Sequence, residues 1–235
     1  MVAPAIPNPV ATRPESVRSE FMVKVYQHLV GAIVAFMGIE VLLFATGIAK
    51  GLYDFVLGSG PAWLLILGGF MLVSWLATTA AHDIANPSRQ YGGLFGLAAA
   101  EALIFAPFLH YFFRVASGGD TTVWAAAVIS ALGFAGLTAV GYTTRTDLSF
   151  LRPVLLWVGV SALVLIVAAV AFGFSLGVWF SVAMIALAGG SILYQTQVIL
   201  RQYPEDAYVG AAVQLFAAIM LLFWYVLRLL GQMRS

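Results

Sequence analysis

Two glutamates lie where a carboxyl is hard to keep. Glu40 sits in VAFMGIEVLLF and Glu101 in GLAAAEALIFAPF, and neither run holds a Lys or Arg. A charged side chain at the centre of a bilayer costs about 2.5–3.5 kcal/mol on insertion scales, so it needs a partner, a water cavity or a proton. With no cation at hand, at least one of the two is expected to be carried neutral near pH 7 and to donate a hydrogen bond. The purely structural alternative is a protonated carboxyl bonded to a neighbouring backbone carbonyl, and it suits Glu40 better than Glu101. A second polar group comprises Tyr194, Gln195 and Gln197 in one apolar segment and Gln214 in the next. Antiparallel helices joined by RQYPEDAYV would bring these four to one level, where interhelical amide bonds of about 0.6 kcal/mol each explain them as glue.

Other chemistries are tested by absence. His28, His82 and His110 are dispersed along the chain without the short spacing of metal ligands, so no metal or other cofactor is expected. With no cysteine there is no disulfide, thiol nucleophile or thiolate zinc site, and the redox compartment is unreadable. The lysines, Lys24 and Lys50, flank the first apolar run, which excludes a retinal Schiff base in mid-helix. No HExxH, GxSxG or Gly-rich phosphate loop occurs, so no enzymatic activity is expected. A net charge of +1, without a Lys/Arg block, excludes nucleic acid as a partner.

The elements that position these residues follow from composition. Of the 235 residues 62% are apolar and 9% charged, and the mean hydropathy is +0.99. A soluble domain is about 45–50% apolar and about 25% charged, so the partner covering this surface is the lipid bilayer. A hydrocarbon core of about 30 Å takes about 20 apolar residues as a helix. Seven such runs are predicted, at 27–49, 62–81, 91–113, 123–141, 154–173, 176–200 and 210–230. They lack the alternation of barrel strands. The fifth and sixth are joined at Gly173-Phe174-Ser175 and predict a tight antiparallel hairpin. Gly92-xxx-Gly96, Gly68-Gly69 and Gly189-Gly190 would let backbones approach closely. The six tryptophans lie mostly near span ends and read as headgroup anchors.

Sidedness is read from Lys and Arg. Arg13, Arg18, Lys24, Arg89, Arg145, Arg152 and Arg201 flank one side, against Lys50, Arg114, Arg228 and Arg234 on the other. The expectation is a cytoplasmic N-terminus in a bacterial-type inner membrane. Residues 1–24, with four prolines in the first twenty, predict a disordered cytoplasmic tail, and 25–231 a seven-helix transmembrane domain.

Four stretches together resemble the Bax inhibitor-1 (transmembrane BAX inhibitor motif) family: FMVKVYQHL, AEALIFAPFL, GYTTRTDLSFL and YQTQVILRQYPEDAYVGAAVQLFAAIMLLF, over roughly residues 21–230. The resemblance implies an all-α, seven-transmembrane-helix bundle with helix seven central. It also implies a pH-sensitive calcium leak, suppression of cell death, or interaction with a membrane-bound protease. Family members that leak calcium resemble one another in a pair of aspartates, and the matching positions here are Gln195 and Ala218. Neither ionises, so two charges that a hard divalent cation favours are missing, and so is the proton-sharing pair that would make a pH switch. Nor does LILGGFMLVSWLATTAA carry the base that members tend to place on helix two. Gln214, one turn before Ala218, is expected to reach Gln195 and to replace an ionisable contact by an amide bridge. Two function classes follow. One is a pH-insensitive small-cation leak or sensor centred on Glu101; the other is a non-conducting interaction protein that regulates a membrane protease or another membrane protein.

Overall fold

The computed structural model describes residues 9–58, 62–144 and 146–234 and is all-helical there. Eight α-helices follow in chain order: α1 (Glu15–Ala45), α2 (Ile48–Gly58), α3 (Ala62–Ala81), α4 (Pro87–His110), α5 (Gly119–Thr143), α6 (Leu151–Phe172), α7 (Val178–Gln202) and α8 (Tyr208–Arg234). A π-helical turn, Tyr111–Val115, extends α4. All except α2 are long and apolar enough to cross a membrane, which makes seven crossings among the described residues. The start of α1 defines one face of the bundle, the N face. The end of α8 defines the opposite one, the C face.

The first crossing ends earlier than its apolar run. The Thr46 hydroxyl turns back onto the Leu42 carbonyl at 2.7 Å, and Gly47 takes a left-handed φ of 78°, open to glycine without a Cβ penalty. What was expected to be the tail of the first span and a loop is instead α2. At 11 residues it is about 16 Å long, too short to span. Its Lys50–Asp54 pair, 2.6 Å apart at i,i+4, stays exposed.

The predicted tail is structured from its middle onward. Residues 1–8 lie outside the described residues, and residues 15–24 are already helical in α1. Val10 is fully buried; its N–H donates to the Tyr203 carbonyl at 2.8 Å, and Arg13 pairs with Glu205 at 3.0 Å. The segment is therefore clipped onto the α7–α8 connection. Arg145, counted for sidedness, lies outside the described residues.

Burial sorts the helices. Within its most apolar window α4 is 67% buried and α8 67%, whereas α3 and α6 are 11% each. α8, the seventh crossing, is thus central: it packs on α1, α3, α4, α5 and α7. Gly210, Ala211, Ala212 and Ala218 keep it thin enough to be surrounded. α6 packs on α7 and leaves Trp157 75% exposed toward the acyl chains. The α6–α7 connection is five residues, 173–177, and opens on Gly173 at φ 72°.

The glycine expectation needs correction. A Cβ at Gly92, Gly96, Gly68 or Gly69 meets nothing within 4 Å. Gly93 is the close contact instead: a Cβ there would collide with the Ala77 carbonyl oxygen and lie 2.7 Å from the Ala81 nitrogen. One residue along a helix turns the side chain by about 100°, so the seam runs through 93 and misses 92 and 96. Gly189 and Gly190 meet only leucine side-chain ends, at 3.3 and 3.2 Å.

Candidate functional site: a cavity that reaches Glu101

α4 starts with Asn86, whose side chain accepts from the Arg89 N–H at 3.2 Å, and with Pro87 at its first position. From there it runs parallel to α1 and α8. Pro107 removes one N–H from its last turns, and the π-helical turn follows, the two marks of a locally perturbed helix. Glu101 lies two turns before this perturbation. It is 5% exposed, and its carboxyl helps line a cavity of about 900 Å³.

The cavity occupies the space between α3 and α6, with α4 and α8 behind it. Trp63, Leu67 and Phe70 come from α3, Ile166 and Val170 from α6, and Trp224 from α8. Ser74 and Thr78 extend it past Glu101 toward the N face, while Tyr53 of α2, Leu176, Arg228 and Gln232 bound it at the C face. Glu101 is the one carboxyl among its lining residues.

Glu40 is 7% exposed and does not line this cavity. Both of its carboxyl oxygens are buried without a hydrogen-bond partner, so the backbone-carbonyl bond expected for it is not formed. Nor do the two glutamates share a level. Phe36 packs on Phe105 at 5.5 Å between ring centroids and Phe44 on His110 at 5.9 Å. Glu40, midway between Phe36 and Phe44, is therefore level with Pro107 and Phe108, about 10 Å beyond Glu101 along the axis.

The second group divides as well. Gln195 Nε2 donates to Gln214 Oε1 at 3.2 Å, which joins α7 to α8 by a bridge without an ionisable atom. Ala218, buried, follows one turn later. Gln197 belongs elsewhere: its Oε1 accepts from the Leu148 N–H at 2.7 Å and its Nε2 donates to the Thr146 carbonyl at 2.7 Å. It clasps the α5–α6 connection. Tyr194 is half-buried on α7.

Two of the histidines, His28 and His82, tie helices together toward the N face. The His82 Nδ1 is 2.7 Å from the Thr78 carbonyl and its Nε2 3.0 Å from the Tyr203 hydroxyl. A carbonyl only accepts, so Nδ1 carries the proton and Nε2 accepts from the phenol. Burial pushes the Tyr203 phenol up to about 12, so it stays a donor through the ordinary pH range. His28 repeats the pattern with the Lys24 carbonyl, 2.7 Å, and the Tyr91 hydroxyl, 3.1 Å.

Two features were missed from sequence. Trp63 and Trp224, read as anchors, stack on each other at 5.6 Å between centroids and line the cavity, and Trp224 also packs on Phe105 and Phe108. Arg228, read as a flanking base, points into the cavity's C-face end. Only the helical position, four residues after Trp224 on α8, hinted at a shared face.

Seven apolar crossings among the described residues, the seventh of them central, define a multi-pass integral membrane protein. The chain belongs to the Bax inhibitor-1 family: the family model described as "Inhibitor of apoptosis-promoting Bax1" matches residues 18–235. No curated protein matches the chain.

Proposed function

We propose that the protein is a non-enzymatic, small-cation leak or sensor of a bacterial-type inner membrane, with its N-terminus cytoplasmic and Glu101 as the group that meets the ion. The observation that carries this reading is the cavity of about 900 Å³ that brings a carboxyl to the interior of the bundle. A carboxyl exposed in a low-dielectric chamber attracts a cation or exchanges a proton, and intramembrane acids of this kind mark ion paths. Arg228 at the C-face end repels a bare cation, so the leak is slow from that side. The α7–α8 contact is held by Gln195 and Gln214, neither of which titrates, so it does not open on proton release. The Lys/Arg excess on the N face supports the orientation.

Flux through purified protein in liposomes tests the reading, with calcium and a monovalent cation measured separately from pH 6 to 8. Glu101→Gln is expected to lower flux severalfold and to remove any pH dependence of the rate, because the α7–α8 contact does not titrate. Flux equal in wild type and Glu101→Gln, or none in either, would transfer the protein to the second class, a non-conducting regulator of a membrane protease or another membrane protein. A steep pH dependence that persists in Glu101→Gln would remove the locked-bridge part alone.

A further inference from the structure

Arg228 is a cation without a carboxylate at the place where the large cavity reaches the C face. Of the five N–H donors of its guanidinium, one Nη donates to the Leu176 carbonyl at 2.9 Å, and the group lies 5.6 Å from the Phe180 ring centroid. The ion pairs among the described residues all involve other bases. Arg228 also lines a second cavity of about 440 Å³, whose far wall carries Arg234. Arg234 donates to the Gly118 carbonyl at 3.1 Å and to the Thr121 and Thr122 hydroxyls at 2.9 and 2.8 Å. The two cavities share Phe108, Tyr111, Arg228 and Gln232, so they are contiguous, and no Asp or Glu lines the smaller one.

Chemistry and depth agree on one kind of occupant. The Trp224 rings meet Phe105 and Phe108. Arg228, one turn on, thus stands about nine residues beyond the level of Glu101, some 14 Å along parallel helices. That is about half of a 30 Å hydrocarbon core, the depth of one leaflet. The chamber between is walled mostly by apolar side chains and bounded by α3 and α6, the two helices most exposed to lipid. A small hydrophilic anion would leave this oily space unfilled, and a neutral hydrocarbon would leave Arg228, which has a carbonyl but no carboxylate, without a counter-charge. We propose that the paired cavities bind a single-chain anionic amphiphile from the C-face leaflet, a long-chain carboxylate or lysophosphate. Its head pairs with Arg228 beside Arg234, and its chain lies along α8 toward Glu101. Guanidinium takes carboxylate or phosphate through two parallel N–H donors, and Glu101 at the far end disfavours the reverse orientation. The inference does not require conduction, but a chain seated here occupies the chamber that leads to Glu101 and would slow any flux through it.

Equilibrium binding of radiolabelled palmitate and of palmitoyl-lysophosphatidylglycerol to the full chain in neutral detergent tests it, with palmitoyl-lysophosphatidylcholine as the zwitterionic control and inorganic phosphate as competitor. Saturable binding of one anionic amphiphile per chain is expected, roughly tenfold tighter than the zwitterion, whose phosphate can pair in the same way but whose quaternary ammonium is repelled by Arg228 and Arg234. Arg228→Gln should erase that preference, and Arg228→Lys should restore part of it. Should Arg228→Gln fail to fold, Val170→Trp, which fills the chamber from α6, should abolish uptake of both anionic probes. Equal affinity for anionic and zwitterionic probes, or wild-type binding by Arg228→Gln or Val170→Trp, would overturn the proposal. Displacement by inorganic phosphate at equal concentration would also overturn it, because the site would then read the anion alone.

Discussion

Replacing Gly93 by Ala should damage the bundle, while the same change one residue earlier should improve it. At 93 the new methyl would overlap the Ala77 carbonyl oxygen and stand 2.7 Å from the Ala81 nitrogen and 3.1 Å from its Cα. These are backbone atoms, so no rotamer relieves the clash, and α3 has to retreat. A retreat of about 0.5–1 Å forfeits a quarter to a half of each dispersion contact along the α3–α4 seam. Overpacking of this kind costs about 1–3 kcal/mol. At Gly92 the methyl meets nothing within 4 Å, and removing a helical glycine stabilises by about 0.8–1.0 kcal/mol. The two variants should therefore differ by about 2–4 kcal/mol in opposite directions around wild type. Thermal unfolding of the purified proteins in one detergent, followed by tryptophan fluorescence, measures this. The result that would refute the reasoning is Gly93→Ala at or above the stability of Gly92→Ala. Because α3 walls the cavity, Gly93→Ala should also widen the opening toward Glu101, visible as faster cation flux in liposomes.

Gln197→Ala should release the α5–α6 connection, since it strips partners from the Leu148 N–H and the Thr146 carbonyl. A cost of about 1–3 kcal/mol and new proteolytic nicking between residues 144 and 150 are expected, whereas Gln195→Ala should cost only about 0.6 kcal/mol. Tyr203 carries a pH dependence. Its buried phenol is pushed up to about 12, whereas in the unfolded chain it ionises near about 10. Between these values the unfolded state gives up its proton first, so the linked stability is complete below about pH 10 and is lost as pH rises toward 12. Tyr203→Phe should flatten that decline, and in an absorbance titration the variant should lose one late-ionising tyrosine relative to wild type.

How much was legible depends on the range of the force concerned. The number and order of crossings followed from composition, because a bilayer core rewards any apolar run of sufficient length irrespective of its neighbours. The Gln195–Gln214 contact was legible too, since a short connection between antiparallel helices leaves few registers. Gly47 leaves no mark in the hydropathy, because apolarity continues straight through it and a left-handed glycine ends a helix without changing that pattern. Hydropathy alone therefore merges the start of α2 with the first span.

Rotation and register were decided only in three dimensions. Lipid is as apolar as leucine, so a hydrophobic helix carries little moment to say which face turns inward, and Gly92 and Gly93 look alike until α3 is placed. The same holds for the glutamates: both are buried, but the α1–α4 register alone sets Glu40 apart from Glu101 and gives the cavity to one of them. Arg228 counts as one more flanking base in the chain. Contact with the Phe180 ring and the Leu176 carbonyl makes it the charged end of an apolar chamber. Composition settles how many helices enter the membrane, because transfer into oil is a property of each segment. Which polar atom meets which cavity is a property of pairs of helices, and no single segment carries it.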